Sequence, residues 1–307
     1  MIRSILVLLV LVTVAQAEGL HRWAAGAEGF NTQSWWYDTG REVVVFDAQF
    51  TPDLARTLVA DIQRQTASPI RWLVITHPNP DKFNGAPVFQ ALGAKVVASQ
   101  RTADALPGVH AYKKAFFVGA GMFTDATYPA LATVDVTFED QLALPLAAGR
   151  VELARLPGSG VSSTQTVAYL AAERALVVGD LIHHGVHAWL EGGIVDGRPR
   201  PDLDAWKRTL ADLAARYAGA TVYDGRGTPA PIAAAAAEQV RYLDAARDVV
   251  RGYLVELGPR VSELSGPQAG AHHKELARRL AEVFPGYQFS YLVEYGVYGL
   301  AGALAAR

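Results

Sequence analysis

Residues 71–85 read Arg71-Trp72-Leu73-Val74-Ile75-Thr76-His77-Pro78-Asn79-Pro80-Asp81-Lys82-Phe83-Asn84-Gly85. The first six form a short apolar run with the composition of a buried strand. Directly after it come an imidazole (His77), an amide (Asn79), a carboxylate (Asp81) and an ammonium (Lys82). The strand therefore delivers a cluster of chemically able groups at its C-terminal end.

The surrounding pattern sets the class. Upstream, residues 42–46 (EVVVF) read as a buried strand closed by Asp47. Residues 51–65 carry Leu54, Leu58 and Ile62 at helical spacing, with Pro52 near the start, where a missing N–H costs little. Downstream, 86–92 reads as a short helix and 95–98 as a strand. This βαβαβ rhythm implies strands in a layered sheet with helices outside. Residues 104–129 read as helix plus loop. Residues 134–144 and 149–156 alternate as antiparallel strands, and 166–170 and 175–178 as two more joined by a turn at 172–174. Helices are expected at 202–217, 231–257 and 275–283, and a strand at 221–223. With no internal repeat or low-complexity linker, the pattern predicts a single domain over residues 18–307, two sheets with helices on both outer faces and a C-terminal helical extension.

Composition narrows the function classes. Half of the 307 residues are hydrophobic and 19% are charged, which suits a globular core. A formal net charge of -2 without a run of like charge gives no basis for nucleic-acid binding. At the start, Arg3 precedes an apolar run from Ile5 to Val14, and Ala15-Gln16-Ala17 is a small-x-small cleavage site. This is the pattern of a secretory signal peptide, residues 1–17, so the protein is expected to be exported, periplasmic or secreted. The run is shorter than the roughly 20 residues of a membrane-spanning helix, and an uncleaved signal anchor is the one membrane attachment it allows. The chain has no cysteine, which removes disulfides, thiolate metal ligands, thiol nucleophiles and a lipid anchor on cysteine.

His77 to Lys82 (HPNPDK) resembles the HxHxDH motif of the metallo-β-lactamase superfamily. The downstream landmarks follow in order. Pro157-Gly158-Ser159 resembles the PGH turn, and residues 163–169 the stretch after it. Val178-Gly179-Asp180 resembles the GD that ends the next strand, Asp224-Gly225-Arg226-Gly227 the GHG loop, and the helix bearing Gln239, Tyr242 and Leu243 the one that follows. The resemblance spans roughly residues 29–257. It implies an α/β fold, a four-layer αββα sandwich, and a centre in which seven side chains hold two zinc ions and a hydroxide.

Carried over position by position, His77, Asp81 and Asp180 remain, while Asn79, Lys82, Ser159 and Arg226 stand where the family has histidines. An amide oxygen and a hydroxyl are poor zinc ligands, and Lys and Arg offer no lone pair at neutral pH. The expected cofactor is therefore none or one Zn2+. Two buried carboxylates without metal need positive partners, so an ion-pair network is expected: Asp81–Lys82 with Asp180–Arg226, or the crossed pairing. Asn79 and Ser159 are expected to face a small-molecule ligand, as are Trp35 and Trp36, because early hairpin loops cover the site in this fold; core packing is the other reading of the tryptophans.

Three functions follow as expectations. The first is a metal-poor or metal-free protein binding a small ligand in the former catalytic cleft. The second is a hydrolase of esters, lactones or phosphoesters with one rearranged zinc on His77, Asp81, Asp180 and an inward-turned His184; the other reading of His183, His184 and His187 is a loop at the cleft mouth. The third is a non-catalytic interaction protein of the cell envelope. β-Lactam hydrolysis is not expected.

Overall fold

Consecutive side chains along the central strands enter different cores, as the period of two requires. In the computed structural model, which describes residues 18–306, the first sheet joins β1 (Gly19–Ala24), β2 (Gln33–Asp38), β3 (Val43–Phe46), β4 (Ile70–Val74), β5 (Lys95–Ser99) and β6 (Val136–Phe138) in that order. It is antiparallel from β1 to β3 and parallel from β3 to β6. The remaining strands are β7 (Gln141–Ala143), β8 (Glu152–Arg155), β9 (Thr166–Leu170), β10 (Ala175–Gly179), β11 (Gly193–Val195), β12 (Arg198–Arg200), β13 (Thr221–Asp224) and β14 (Ala230–Pro231). The second sheet runs β14-β13-β10-β9-β8-β7, and β11 and β12 form a separate hairpin.

Val44 and Phe46 of β3 point between the sheets, with Trp35, Trp72, Val97, Leu153, Ala168 and Val177. Their neighbours Val43 and Val45 point outward, onto helices α1 (Pro52–Gln65), α3 (Ala86–Ala91) and the first half of α4 (Gln100–Gly119). A four-residue helix, α2 (Pro80–Phe83), precedes α3. The outer face of the second sheet is covered by α5 (Leu203–Arg216), α6 (Ile232–Leu257), α7 (Ala269–Val283) and α8 (Tyr291–Ala305). The result is the four-layer αββα sandwich. The expected signal peptide lies outside the described residues, and no described helix is long and apolar enough to cross a membrane.

Several boundaries differ from the expectations. Trp35 and Trp36 lie within β2, in a strand that pattern reading did not find. Residues 134–144 hold β6 and β7, which belong to different sheets, so the chain crosses between layers at Glu139-Asp140. Residues 100–119 form one helix despite Pro107, because Leu106 and Val109 pack against the first outer core and Phe117 against the second. Helix α8 was hidden by its tyrosines and glycines. Its Gly299 is a packing requirement: a Cβ there would sit 2.1 Å from the carbonyl oxygen of Glu191.

Gly85 plays the same part beside the site. A Cβ would lie 1.9 Å from the Ala48 carbonyl oxygen, which is backbone and cannot swing away. Gly85→Ala is expected to cost about 1–3 kcal/mol by overpacking, read as a lower denaturation midpoint in urea; an unchanged midpoint would contradict this close approach.

Candidate functional site

The site forms where β3, β4, β10 and β13 end. Just past β3, Asp47 adopts a positive φ of 69°. Its carboxylate accepts hydrogen bonds from Thr76 N and Thr76 Oγ1, each at 2.9 Å. Thr76 Oγ1 is in turn 3.0 Å from His77 Nδ1. With Thr76 donating to Asp47, its oxygen is left to accept from His77 Nδ1–H, so the His77 Nε2 lone pair faces the centre. That atom has no hydrogen-bond partner and lies 3.7 Å from Asp180 Oδ2. Helix α2 then carries Asp81 and Lys82 inward, both buried.

Asp180 follows Gly179 at the end of β10, where the chain turns through a φ of 54°. Arg226 stands on the loop after β13, and Asp224 shapes that loop. The Asp224 carboxylate accepts from His184 N at 2.8 Å, from Arg226 N at 3.0 Å and from Gly227 N. Burial still pushes Asp224 up to about 6 against those donors.

The four charges form a closed ring. Lys82 Nζ is 2.9 Å from both Asp81 Oδ2 and Asp180 Oδ1. Arg226 Nη2 is 2.9 Å from Asp81 Oδ2, and Arg226 Nη1 pairs with Asp180 Oδ2. Each cation thus bridges both carboxylates, so the direct and the crossed pairing are present together. Two further contacts hold the guanidinium: Nε donates to the Phe30 carbonyl at 3.0 Å, and Nη2 to Thr32 Oγ1 at 3.2 Å. Thr32 Oγ1 donates to Asp81 Oδ2 at 2.9 Å.

Burial alone would raise the carboxyls and lower the cations; the ring reverses this. Asp180 is held well below the ordinary carboxylate range by Arg226 and Lys82, and Asp81 is lowered by the same two groups. Lys82 is raised by Asp180 and Asp81. Asp47 sits outside the ring, 3.8 Å from Lys82, and burial pushes it up to about 7. Burial also drives His77 down to about 4 and His183 down to about 3, so both imidazoles are neutral.

A zinc ion does not fit this donor set. The oxygens that Asp81 and Asp180 turn to the centre are taken by two cations, and a divalent ion bound there would meet both at close range. Among the described residues, no three His, Cys, Asp or Glu side chains are grouped to hold a metal.

The space above the ring is nearly filled. The cavity between Asn79, Asp81, Asp180 and Arg226 measures about 20 Å³ and is walled by Phe30, Phe50, Phe117 and Trp189. A water needs roughly 10–15 Å³ on this measure, so the cavity takes about one. A second buried ion pair, Lys113–Glu191, closes the roof, with Trp189 Nε1 donating to Glu191 at 2.9 Å and Tyr298 of α8 donating to the same carboxylate.

The structure thus brings His77, Asn79, Asp81, Lys82, Asp180 and Arg226 together, and leaves four expected residues apart. Trp36 is fully buried in the outer core and stacks on His21, while Trp35 lies between the sheets with Nε1 donating to the Asp224 carbonyl at 2.8 Å. Both tryptophans are core because β2 is an interior strand. Ser159 does not line the cavity; its carbonyl accepts from Thr209 Oγ1 at 2.8 Å. His184 does not turn inward, since its Nδ1 is 3.0 Å from the Thr228 carbonyl and its Nε2 faces Glu238. The buried neighbour is His183, whose ring nitrogens have no partner. Pattern reading gave no site role to Asp47 or Thr32, and it named His183 only with its neighbours at the cleft mouth. The Asp at the end of a fully apolar strand was a usable signal for the first; nothing in the sequence marks Thr32 or separates His183 from His184.

Comparison with known proteins agrees with this architecture. The family model of the metallo-beta-lactamase superfamily matches residues 27–225. A metallo-beta-lactamase from Pontibacter korlensis is similar in structure, with a TM-score of 0.56 and 22% identity over 73% of this chain and 94% of that one. The DIM-1 metallo-beta-lactamase exposed to ceftazidime is similar too, with a TM-score of 0.53 and 18% identity over 74% of this chain and 92% of that one. At such identities these likenesses speak for the fold.

Proposed function

The chain belongs to the metallo-β-lactamase superfamily, and we propose that within it this protein is an exported, metal-poor binding protein whose zinc centre has given way to an ion-pair ring. One observation carries the reading: both carboxylates left from the family's ligand set are bridged by Lys82 and Arg226 inside hydrogen-bond range. A hydrolase of this fold needs a metal to lower the pKa of a bound water. Here the positive charge that would do so is carried by two side chains that cannot coordinate water, and the cavity leaves no volume for a substrate. The former cleft is therefore filled by paired charge, and any ligand is taken elsewhere on the surface.

The test is the zinc content of the mature protein, by elemental analysis after purification without chelator and again after zinc loading. The expected result is zinc far below one per chain in both preparations. About one zinc per chain, lost in His77→Ala or Asp180→Ala and accompanied by ester, lactone or phosphoester hydrolysis, would overturn the proposal.

A further inference from the structure

Helix α8 is apolar on every side, and its 15 residues carry a single charge, Glu294. One face, with Leu292, Val293, Val297 and Leu300, is buried in the core outside the second sheet. The other, with Tyr295, Tyr298, Gly302 and Ala305 at helical spacing, walls a groove of about 630 Å³. A helix that is hydrophobic all round is one that is covered all round, and the groove leaves this second face open. Its volume falls in the range of roughly 300–1,000 Å³ usual for small-molecule sites.

The walls select the chemistry of the occupant. Phe116 of α4 and Val261 and Leu264 of the turn at Gly258–Ser265 complete the apolar lining. The aromatic rings are fixed in advance. Tyr298 Oη donates to Glu191 and lies 2.9 Å from Tyr112 Oη, and its ring stacks on Phe116 with centroids 5.6 Å apart. Tyr295 stacks on Trp189 at 6.4 Å. Phe116, Tyr295 and Tyr298 are only half-buried, so the groove reaches them. Glu294 lines the same space, also half-buried, and its carboxylate makes no ion pair or hydrogen bond among the described residues. It stands one helical turn before Tyr298, with Cβ atoms about 5–6 Å apart.

Nothing in the lining balances that charge. No lysine or arginine borders the groove. Lys113, behind Phe116, is neutralised by its pair with Glu191. Burial pulls His273 below the ordinary histidine value, so it is neutral at pH 7. An apolar groove with aromatic faces and one unbalanced carboxylate is complementary to a lipophilic cation, which the rings attract through their quadrupoles and the carboxylate through its charge. An anion would be repelled, and a neutral ligand would leave Glu294 unpaired.

We infer that this groove binds an alkylammonium cation, the ammonium between Glu294 and the Tyr298 ring and the alkyl chain against Val261, Leu264 and Ala305. The inference rests on the reading of the protein as a binding protein, and none of the groups it uses belongs to the ion-pair ring.

The experiment is isothermal titration calorimetry of the mature protein with decyltrimethylammonium below its micelle-forming concentration. Decyl glucoside and decyl sulfate present the same chain with a neutral and a negative head. Saturable one-to-one binding of the ammonium is expected, about tenfold tighter than the glucoside, with no saturable binding of the sulfate. Glu294→Gln is expected to bring the ammonium down to the affinity of the glucoside. Gly302→Leu is expected to abolish both, because a Cβ there meets no atom within 4 Å and the leucine grows into open space. Leucine also favours the helix, so the variant keeps the fold. No saturable binding, a preference for the neutral or negative head, or indifference to Glu294→Gln would overturn the inference. A dimer that Gly302→Leu breaks, with no ammonium bound, would make a second copy the occupant and overturn it as well. Zinc content of the same preparation reads the other proposal separately: zinc uptake sinks the metal-poor reading and leaves the groove result standing.

Discussion

Arg226→Ala is expected to destabilise the protein by about 3–5 kcal/mol, the cost of leaving buried charge uncompensated. Arg226 is 5% exposed and contacts Asp81, Asp180, Thr32 and the Phe30 carbonyl, so truncation strips partners from two carboxylates at once. Lys82 would remain, one positive charge against two negative. The same reasoning predicts a second outcome that a packing role alone would not. Replacing the whole ring, with Asp81→Leu, Lys82→Met, Asp180→Leu and Arg226→Met, is expected to recover most of the loss, because apolar fill of similar volume carries no desolvation cost. Urea denaturation of the wild type, the single variant and the fourfold variant decides it. An Arg226→Ala protein as stable as the wild type would remove the ring's structural role. A fourfold variant worse than the single one would show that packing geometry, rather than charge balance, governs the site.

How much of this was legible in the sequence differs between fold and site. The apolar run EVVVF and the βαβαβ rhythm give the first sheet, because apolar content and element alternation are local properties. β2 escaped, since its Trp-Trp-Tyr run looks like a loop cluster until both faces of the strand are seen to be buried. Helix α4 was expected only as part of a helix-plus-loop stretch, and its unbroken run from Gln100 escaped because Pro107-Gly108 signals a break that packing against two cores overrides. At the site, the resemblance of the HPNPDK, VGD and DGRG stretches to the family's motifs names the four charges of the ring. Their bridging geometry depends on three strand ends meeting, which no local pattern encodes. The closing of the cleft was equally hidden. It depends on Lys113 of α4 reaching Glu191, some 78 residues away, and on α8 docking through Tyr298. His183 in place of His184 as the inward imidazole turns on a single residue of loop register.

Asp47→Asn is expected to make the protein more acid-sensitive. The carboxyl of Asp47 is raised from an ordinary value near 4 up to about 7. Between those values the folded state holds a proton that the unfolded state has released, so stability contributed by this group is full below about pH 4 and is lost as pH rises to 7. Acidification from pH 7 to 5 thus stabilises through Asp47, by about 2 kcal/mol at up to 1.36 kcal/mol per unit. The histidines act in the opposite sense. His77 and His183, lowered to about 4 and 3, contribute stability that is full above pH 6.5 and is lost on acidification through that value. In the wild type the two effects oppose each other. Asparagine is isosteric with the protonated acid and can still accept from Thr76 N, so Asp47→Asn removes the titration and keeps the contact. Measured by urea unfolding at pH 7 and pH 5, the variant is expected to lose about 2 kcal/mol more than the wild type on acidification. Parallel pH profiles would mean that Asp47 stays ionised across this range, held down by Lys82 at 3.8 Å, and the ring would then balance three carboxylates rather than two.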